Sequence, residues 1–90
     1  MTVRLHRSEQ AIFREVAGSP GGVLLDLDSG EYRRVNEVGA LIWRLLEGSP
    51  TREILIRRIR DRIADPPATL DAEVDAFLDG LVERKLAERR

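Results

Sequence analysis

The spacing of apolar positions changes period along this chain. Residues 23–27 read Val-Leu-Leu-Asp-Leu, a nearly unbroken apolar run of the kind a strand carries when it is covered on more than one side. Asp28, Ser29 and Gly30 then supply a tight turn in which Gly30 is free to take a positive φ. Residues 31–35 follow as a polar strand, broken only by Tyr32 and Val35. Upstream, residues 11–16 alternate loosely and predict a strand that ends in the Gly/Pro-rich loop of residues 17–22. Three strands with short connections predict an antiparallel meander, with 23–27 in the middle and the other two at its edges. Residues 3–6 fit a further short strand or a loose arm equally well, so residues 1–10 stay open.

After Val35 the period becomes helical. Asn36 is a good N-cap, Glu37 suits the positive end of a helix, and Val38, Leu41, Ile42, Leu45 and Leu46 form an apolar stripe that Gly48 ends. Thr51 predicts the cap of a second helix whose core face is Leu55, Ile56, Ile59 and Ile63, stopped by Asp65-Pro66-Pro67. Thr69 predicts the cap of a third, with Leu70, Val74, Phe77, Leu78, Leu81 and Val82 on one side. Short amphipathic helices need partners to be stable. The expected architecture is therefore a single α+β domain over residues 1–90: a three-stranded antiparallel meander followed by three helices, winged helix-turn-helix-like. Trp43 falls off the first helix's stripe, which makes it either a half-buried structural residue or a partner contact.

Composition narrows the chemistry. There are no cysteines and one histidine, His6, so neither a disulfide framework nor a zinc site is expected. Fifteen basic and sixteen acidic side chains nearly cancel, which predicts no general attraction to nucleic acid. The distribution is uneven, however. The second helix carries Arg52, Arg57, Arg58, Arg60 and Arg62, which read as a solvated face, a docking face for an enzyme or a nucleic-acid contact. Glu53 stands four residues before Arg57, the better orientation for a helical ion pair. The third helix carries Asp71, Glu73, Asp75, Asp79 and Glu83, which oppose phosphate contacts and make it a poor reader of DNA. No nucleophile with a base, no Gly-rich phosphate loop and no carboxylate pair away from a turn is present, so no catalytic residue, cofactor or metal is expected. The opening residues lack the apolar stretch of a signal peptide, and no segment reaches the ~20 apolar residues of a membrane span. A cytoplasmic protein without a membrane partner is expected.

Taken together, Val23, Leu24, Leu25, Asp26, Gly30, Tyr32, Val35, Asn36, Gly39, Ile42 and Trp43 stand in an order and spacing that resemble the PqqD-like family, over residues 11–86. This family comprises the peptide chaperones of pyrroloquinoline quinone biosynthesis and the leader-recognition elements of ribosomally made, modified peptides. The resemblance implies that the leader segment of a precursor peptide adds as an antiparallel strand to residues 31–35, in the groove between that strand and the third helix. Carried over by position, the peptide site is Glu31, Tyr32, Arg33, Arg34 and Val35 on the strand, and Asp71, Val74, Asp75 and Leu78 on the helix. Many relatives have an aromatic residue where this chain has Arg33, which implies either the loss of a hydrophobic contact or a preference for an acidic leader residue. On the residues alone, Arg33 and Arg34 also read as charges that guard an exposed edge. A proline at Val35 is expected to remove a donor from the free edge. The format most resembles the standalone recognition proteins of lasso-peptide clusters, which implies a separate leader peptidase and a cyclase as partners. The alternatives are a chaperone serving a radical enzyme of pyrroloquinoline quinone-type synthesis, a winged-helix DNA-binding regulator, and a homodimer paired through the free edge.

Overall fold

In the computed structural model, which describes residues 2–90, the chain runs β1 (Leu5–Arg7), β2 (Ala11–Glu15), β3 (Gly22–Asp26), β4 (Tyr32–Val35), α1 (Glu37–Leu45), α2 (Arg52–Arg62), α3 (Leu70–Glu83) and β5 (Ala87–Arg89). A 3-10 turn, Leu46–Gly48, continues α1. The expected meander is present, in the order β2-β3-β4 with both pairings antiparallel. Its register sorts the side chains. Phe13, Leu24 and Arg33 lie in one row and Glu15, Gly22 and Val35 in another, on the side of the helices, where Leu24 is 2% exposed. The alternate rows, Ile12–Leu25–Tyr32 and Arg14–Val23–Arg34, stand on the opposite face.

At the β3–β4 hairpin, Gly30 takes φ +76°, as the turn requires. Asp26 shapes this turn: its carboxylate accepts hydrogen bonds from the Asp28 N–H at 2.9 Å, the Ser29 hydroxyl at 3.1 Å and the Gln10 amide at 3.3 Å. Desolvation pushes the Asp26 carboxyl up, but these hydrogen bonds outweigh it and hold its pKa below the ordinary range.

Asn36 caps α1 through Oδ1, which accepts from the Gly39 N–H at 2.9 Å, and Thr51 caps α2 by accepting from the Ile54 N–H at 3.2 Å. Thr69 does not cap α3 with its side chain. Its ψ of 4° is not the extended value of an N-cap, and the Leu70 N–H donates instead to the Pro67 carbonyl. The 3-10 continuation of the first helix ends at Gly48, and the left-handed conformation follows on Ser49, at φ +49°.

Two features depart from the expected pattern. The C-terminal residues form β5, which pairs with β1 antiparallel and settles the open status of the N-terminal segment as a strand. Trp43 is also buried, at 4% exposure, because this ribbon covers the side of α1 that the 38/41/42/45 stripe leaves bare. Arg7 of β1 lies with its guanidinium carbon 5.0 Å from the Trp43 ring centre. It also donates to the Trp43 carbonyl at 2.6 and 2.9 Å and to the Arg44 carbonyl at 3.2 Å. Those carbonyls lie at the end of α1, where backbone acceptors run out of helical partners, so one side chain both roofs the indole and caps the helix.

The core gathers Leu24, Ile42, Leu46, Leu55, Ile59, Leu70, Val74, Leu78, Leu81 and Leu86, all at most 2% exposed. Burying each leucine or isoleucine is worth about 1.5–3 kcal/mol. At the C-terminal end of α3, the Leu86 N–H donates to the Leu81 carbonyl and the Lys85 N–H to the Val82 carbonyl. This double bond pattern is the Schellman motif, with Lys85 at φ +62° in the place that glycine favours. It reverses the chain so that Leu86 drops into the core beside Leu81 and β5 can meet β1.

Candidate functional site

β4 has one neighbour in its sheet, β3, and its other edge is open. Two loop bonds fix which backbone groups point where. The Asp26 N–H donates to the Glu31 carbonyl at 2.8 Å, and the Leu27 N–H to the Gln10 carbonyl at 2.7 Å. Antiparallel ladders alternate hydrogen-bonded and non-hydrogen-bonded pairs. The pairs Asp26–Glu31, Leu24–Arg33 and Gly22–Val35 are therefore the bonded ones, and the N–H and C=O groups of Tyr32 and Arg34 face the open edge. Val35 consequently spends its N–H on Gly22. A proline there would break the interior ladder, whereas a proline at Arg34 removes an edge donor. Glu31 stands one residue before β4 and joins the ladder through its carbonyl.

The side chains alternate the other way. Tyr32, 71% exposed, and Arg34 project on the outer face of the sheet, while Arg33 and Val35 project toward the helices. Across from them stands α3. A β-carbon on Gly80 would lie 3.9 Å from Arg33 Nη1, and one on Gly39 would lie 3.0 Å from Phe77 Cε1 and 3.2 Å from Val35 Cβ. Phe77 therefore seats against a bare patch of α1 directly beside Val35. Next to this contact is a recess lined by Asn36, Val38, Ile42, Glu73, Ala76 and Phe77. Phe77 and Gly80 of α3 thus stand toward β4, and Glu73 shares their side of the helix at the spacing of 3.6 residues per turn.

Of the helix residues expected at the site, Asp71 and Asp75 lie toward α2 while Val74 and Leu78 turn inward. Val74 and Leu78 are in the core, at 0% and 1% exposure. Asp75 makes a bidentate ion pair with Arg52 of α2, at 2.6 and 2.7 Å, and Asp71 pairs with Arg60 at 2.6 Å. The hydrogen bond from Arg52 holds the Asp75 carboxyl below its ordinary range. The arginines of α2 thus divide into two that clamp α3 and three, Arg57, Arg58 and Arg62, that are exposed without an ion pair among the described residues. The described ion pairs do not include Glu53 with Arg57. Two close approaches beside β4 went unread in the sequence, Gly80 to Arg33 and Gly39 to Phe77 and Val35; the glycines and an aromatic flanking the 74/78/81 stripe were the available signals.

Other surfaces are distinct from this edge. A recess on the far side of α1 is lined by Glu15, Pro20, Leu41, Arg44 and Ile63, and Glu15 and Arg44 form an ion pair there. Among the described residues, no three His, Asp or Glu side chains converge as a metal ion needs, and no helix is long and apolar enough to cross a membrane. His6 lies with Nδ1 3.0 Å from the Ser49 hydroxyl, in the packing of β1 against the 3-10 turn.

An open strand edge beside Phe77 is a geometry that can accept an added strand, and comparison with known proteins places the fold. Residues 21–87 match the family described as Coenzyme PQQ synthesis protein D (PqqD), and the chain belongs to that family. Its fold is similar to that of a solved structure described as TbiB1 in complex with the TbiA(beta) leader peptide, with a TM-score of 0.75 and 26% identity over 92% of this chain and 94% of that one. It is also similar to lasso peptide synthetase B1 complexed with the leader peptide, with a TM-score of 0.73 and 21% identity over 93% and 96% of the two chains. No curated protein matches the sequence closely enough to count as a relative.

Proposed function

We propose that this protein binds the leader segment of a precursor peptide as an added strand on β4 and presents it to a processing enzyme in lasso-peptide biosynthesis. The observation that carries this reading is the open edge of β4, with the Tyr32 and Arg34 backbone groups turned outward beside the Phe77 wall of α3. Main-chain hydrogen bonds give affinity in such strand addition, and pockets for alternate side chains give selectivity. Two similar folds described as leader-peptide complexes support the choice of ligand. The site on this reading is Glu31, Tyr32, Arg33, Arg34 and Val35 on the strand side, with Glu73, Phe77 and Gly80 replacing Asp71, Val74, Asp75 and Leu78 on the helix side. The domain binds and does not catalyse. A separate leader peptidase and a cyclase perform the chemistry, and tethering raises the local concentration of the peptide near them.

The family description favours a second setting, in which the domain serves a radical enzyme of pyrroloquinoline quinone-type synthesis. A DNA-binding role has less support, since Asp75 and Asp71 neutralise two arginines of the basic helix. Fluorescence anisotropy separates all three. The titration uses labelled leaders of the precursors encoded beside the gene, a scrambled peptide and a duplex DNA. Saturable binding to a lasso leader alone is the expected result. Binding to a pyrroloquinoline quinone precursor moves the protein to the second setting, and steeply salt-dependent binding to DNA alone overturns the peptide reading.

A further inference from the structure

We infer that Arg33 makes the groove selective for an extended peptide carrying a carboxylate side chain two residues C-terminal to an apolar one. This rests on strand addition at β4 and specifies which peptide the edge accepts.

The register supplies the argument. Because Tyr32 and Arg34 turn their backbone groups to the open edge, residues of an added antiparallel strand opposite Arg33 and Val35 form non-hydrogen-bonded pairs with them. Side chains of such pairs are the closer kind and share a face. That face is the helix side, where Arg33 reaches across to Gly80 and Val35 meets Phe77. β4 runs from Arg33 toward Val35, so an antiparallel peptide meets Val35 first and Arg33 two residues later. The first position faces Val35, with Phe77 beside it, which suits an apolar side chain. The second faces a guanidinium.

Arg33 is exposed and makes no ion pair among the described residues. Of the five acids of α3, Glu83 is exposed at the helix end without an ion pair among the described residues, and the other four are placed elsewhere. Asp71, Asp75 and Asp79 pair with Arg60, Arg52 and Arg89, and Glu73 stands at the Phe77 end of the groove. The groove thus presents the apolar pair Val35 and Phe77 where the peptide enters and the Arg33 guanidinium where it leaves. Gly80 matters too: without a side chain there, the guanidinium can lie over α3 rather than being pushed out to solvent.

The test is selection of a displayed library of random twelve-residue peptides on the immobilised full chain, with sequencing of the retained pool, repeated for Arg33→Glu and Arg33→Gln. For the wild type, Asp and Glu are expected to be enriched about fivefold at the position two residues after the conserved apolar one, the upper end for an opposite-charge cross-strand pair. Arg33→Glu should enrich Lys and Arg at that position, and Arg33→Gln should show no charge preference there. The same charge preference in all three proteins overturns the inference while leaving strand addition standing. Failure of every protein to retain any peptide overturns strand addition and the inference with it.

Discussion

The ring of Phe77 rests against the bare Cα of Gly39, so that a β-carbon added there would stand 3.0 Å from Cε1. Val35 Cβ, at 3.2 Å, hems in the same point from the strand side. Two opposed effects meet at this position. Alanine is favoured over glycine inside a helix by about 1 kcal/mol, whereas the new methyl group must displace a half-buried ring. Phe77 borders an open groove and can move outward. Gly39→Ala is therefore expected to leave stability within about 1 kcal/mol of the wild type and to weaken peptide binding severalfold, because the ring now fills the groove. A thermal melt and an anisotropy titration of the same variant check both halves.

Arg7 links the terminal ribbon to α1, and Trp43 reports on it. Arg7→Ala removes the cation over the indole and the donors to the carbonyls of Trp43 and Arg44. The expected cost is about 1–2 kcal/mol, since hydrogen bonds from a charged donor are worth ~1.5–3 kcal/mol and water reaches part of this site. Trp43 is the sole tryptophan, so its emission should shift to the red in the folded variant. Unchanged emission together with unchanged denaturant midpoint would remove Arg7 from the cap.

Lys85 pays the strain of a left-handed residue at φ +62°. Lys85→Gly keeps both bonds of the Schellman motif and relieves the Cβ clash, at the expense of a more flexible unfolded chain. A net gain of about 0.5–1 kcal/mol is expected in urea denaturation.

The clamp between Arg52 and Asp75 gives a pH signature. Pairing lowers the Asp75 pKa in the folded state, below its ordinary 3.8. Its stabilisation is therefore complete above the unfolded value and is lost as pH falls through the lower, folded one. Both side chains are more than a third exposed, at 45% and 40%, so solvent screening limits the effect to about 1 kcal/mol at most. Asp75→Asn should cost that much at pH 7 and progressively less as pH falls below 3.8, in denaturation curves run down the acid range. The same variant should bind peptide like the wild type at pH 7, since Asp75 is on the α2 side of α3.

Much of this fold was legible in the chain because each element carried its own period and punctuation. The apolar run at Val23–Asp26, the turn at Gly30, and the caps Asn36 and Thr51 are local signals, and the structure uses each of them. What was not legible depended on distant partners. Ala87–Arg89 is three residues with no pattern of its own, and becomes a strand only because the Lys85 reversal brings it to β1. Trp43 reads as off-stripe until that ribbon covers it. At the candidate site, residues 31–35 were legible as an edge strand from their position along the chain, and β4 is one. The orientation of α3 was not legible, because a helix with apolar residues at 70, 74, 77, 78, 81 and 82 has two faces to bury. Leu70, Val74, Leu78 and Leu81 turn into the core, and that rotation leaves Asp71 and Asp75 to pair with Arg60 and Arg52 of α2.

The central claim is that a peptide pairs with the outward backbone of β4, and one donor tests it directly. Arg34→Pro deletes an edge N–H while leaving the bonded pairs of Arg33 and Val35 with β3 intact, and edge positions of this kind tolerate proline. Arg34→Ala serves as the control for the lost side chain. With circular dichroism matching the wild type for both variants, leader affinity by anisotropy is expected to fall at least about tenfold for Arg34→Pro and no more than about threefold for Arg34→Ala. Wild-type affinity in a folded Arg34→Pro protein would contradict strand addition at this edge.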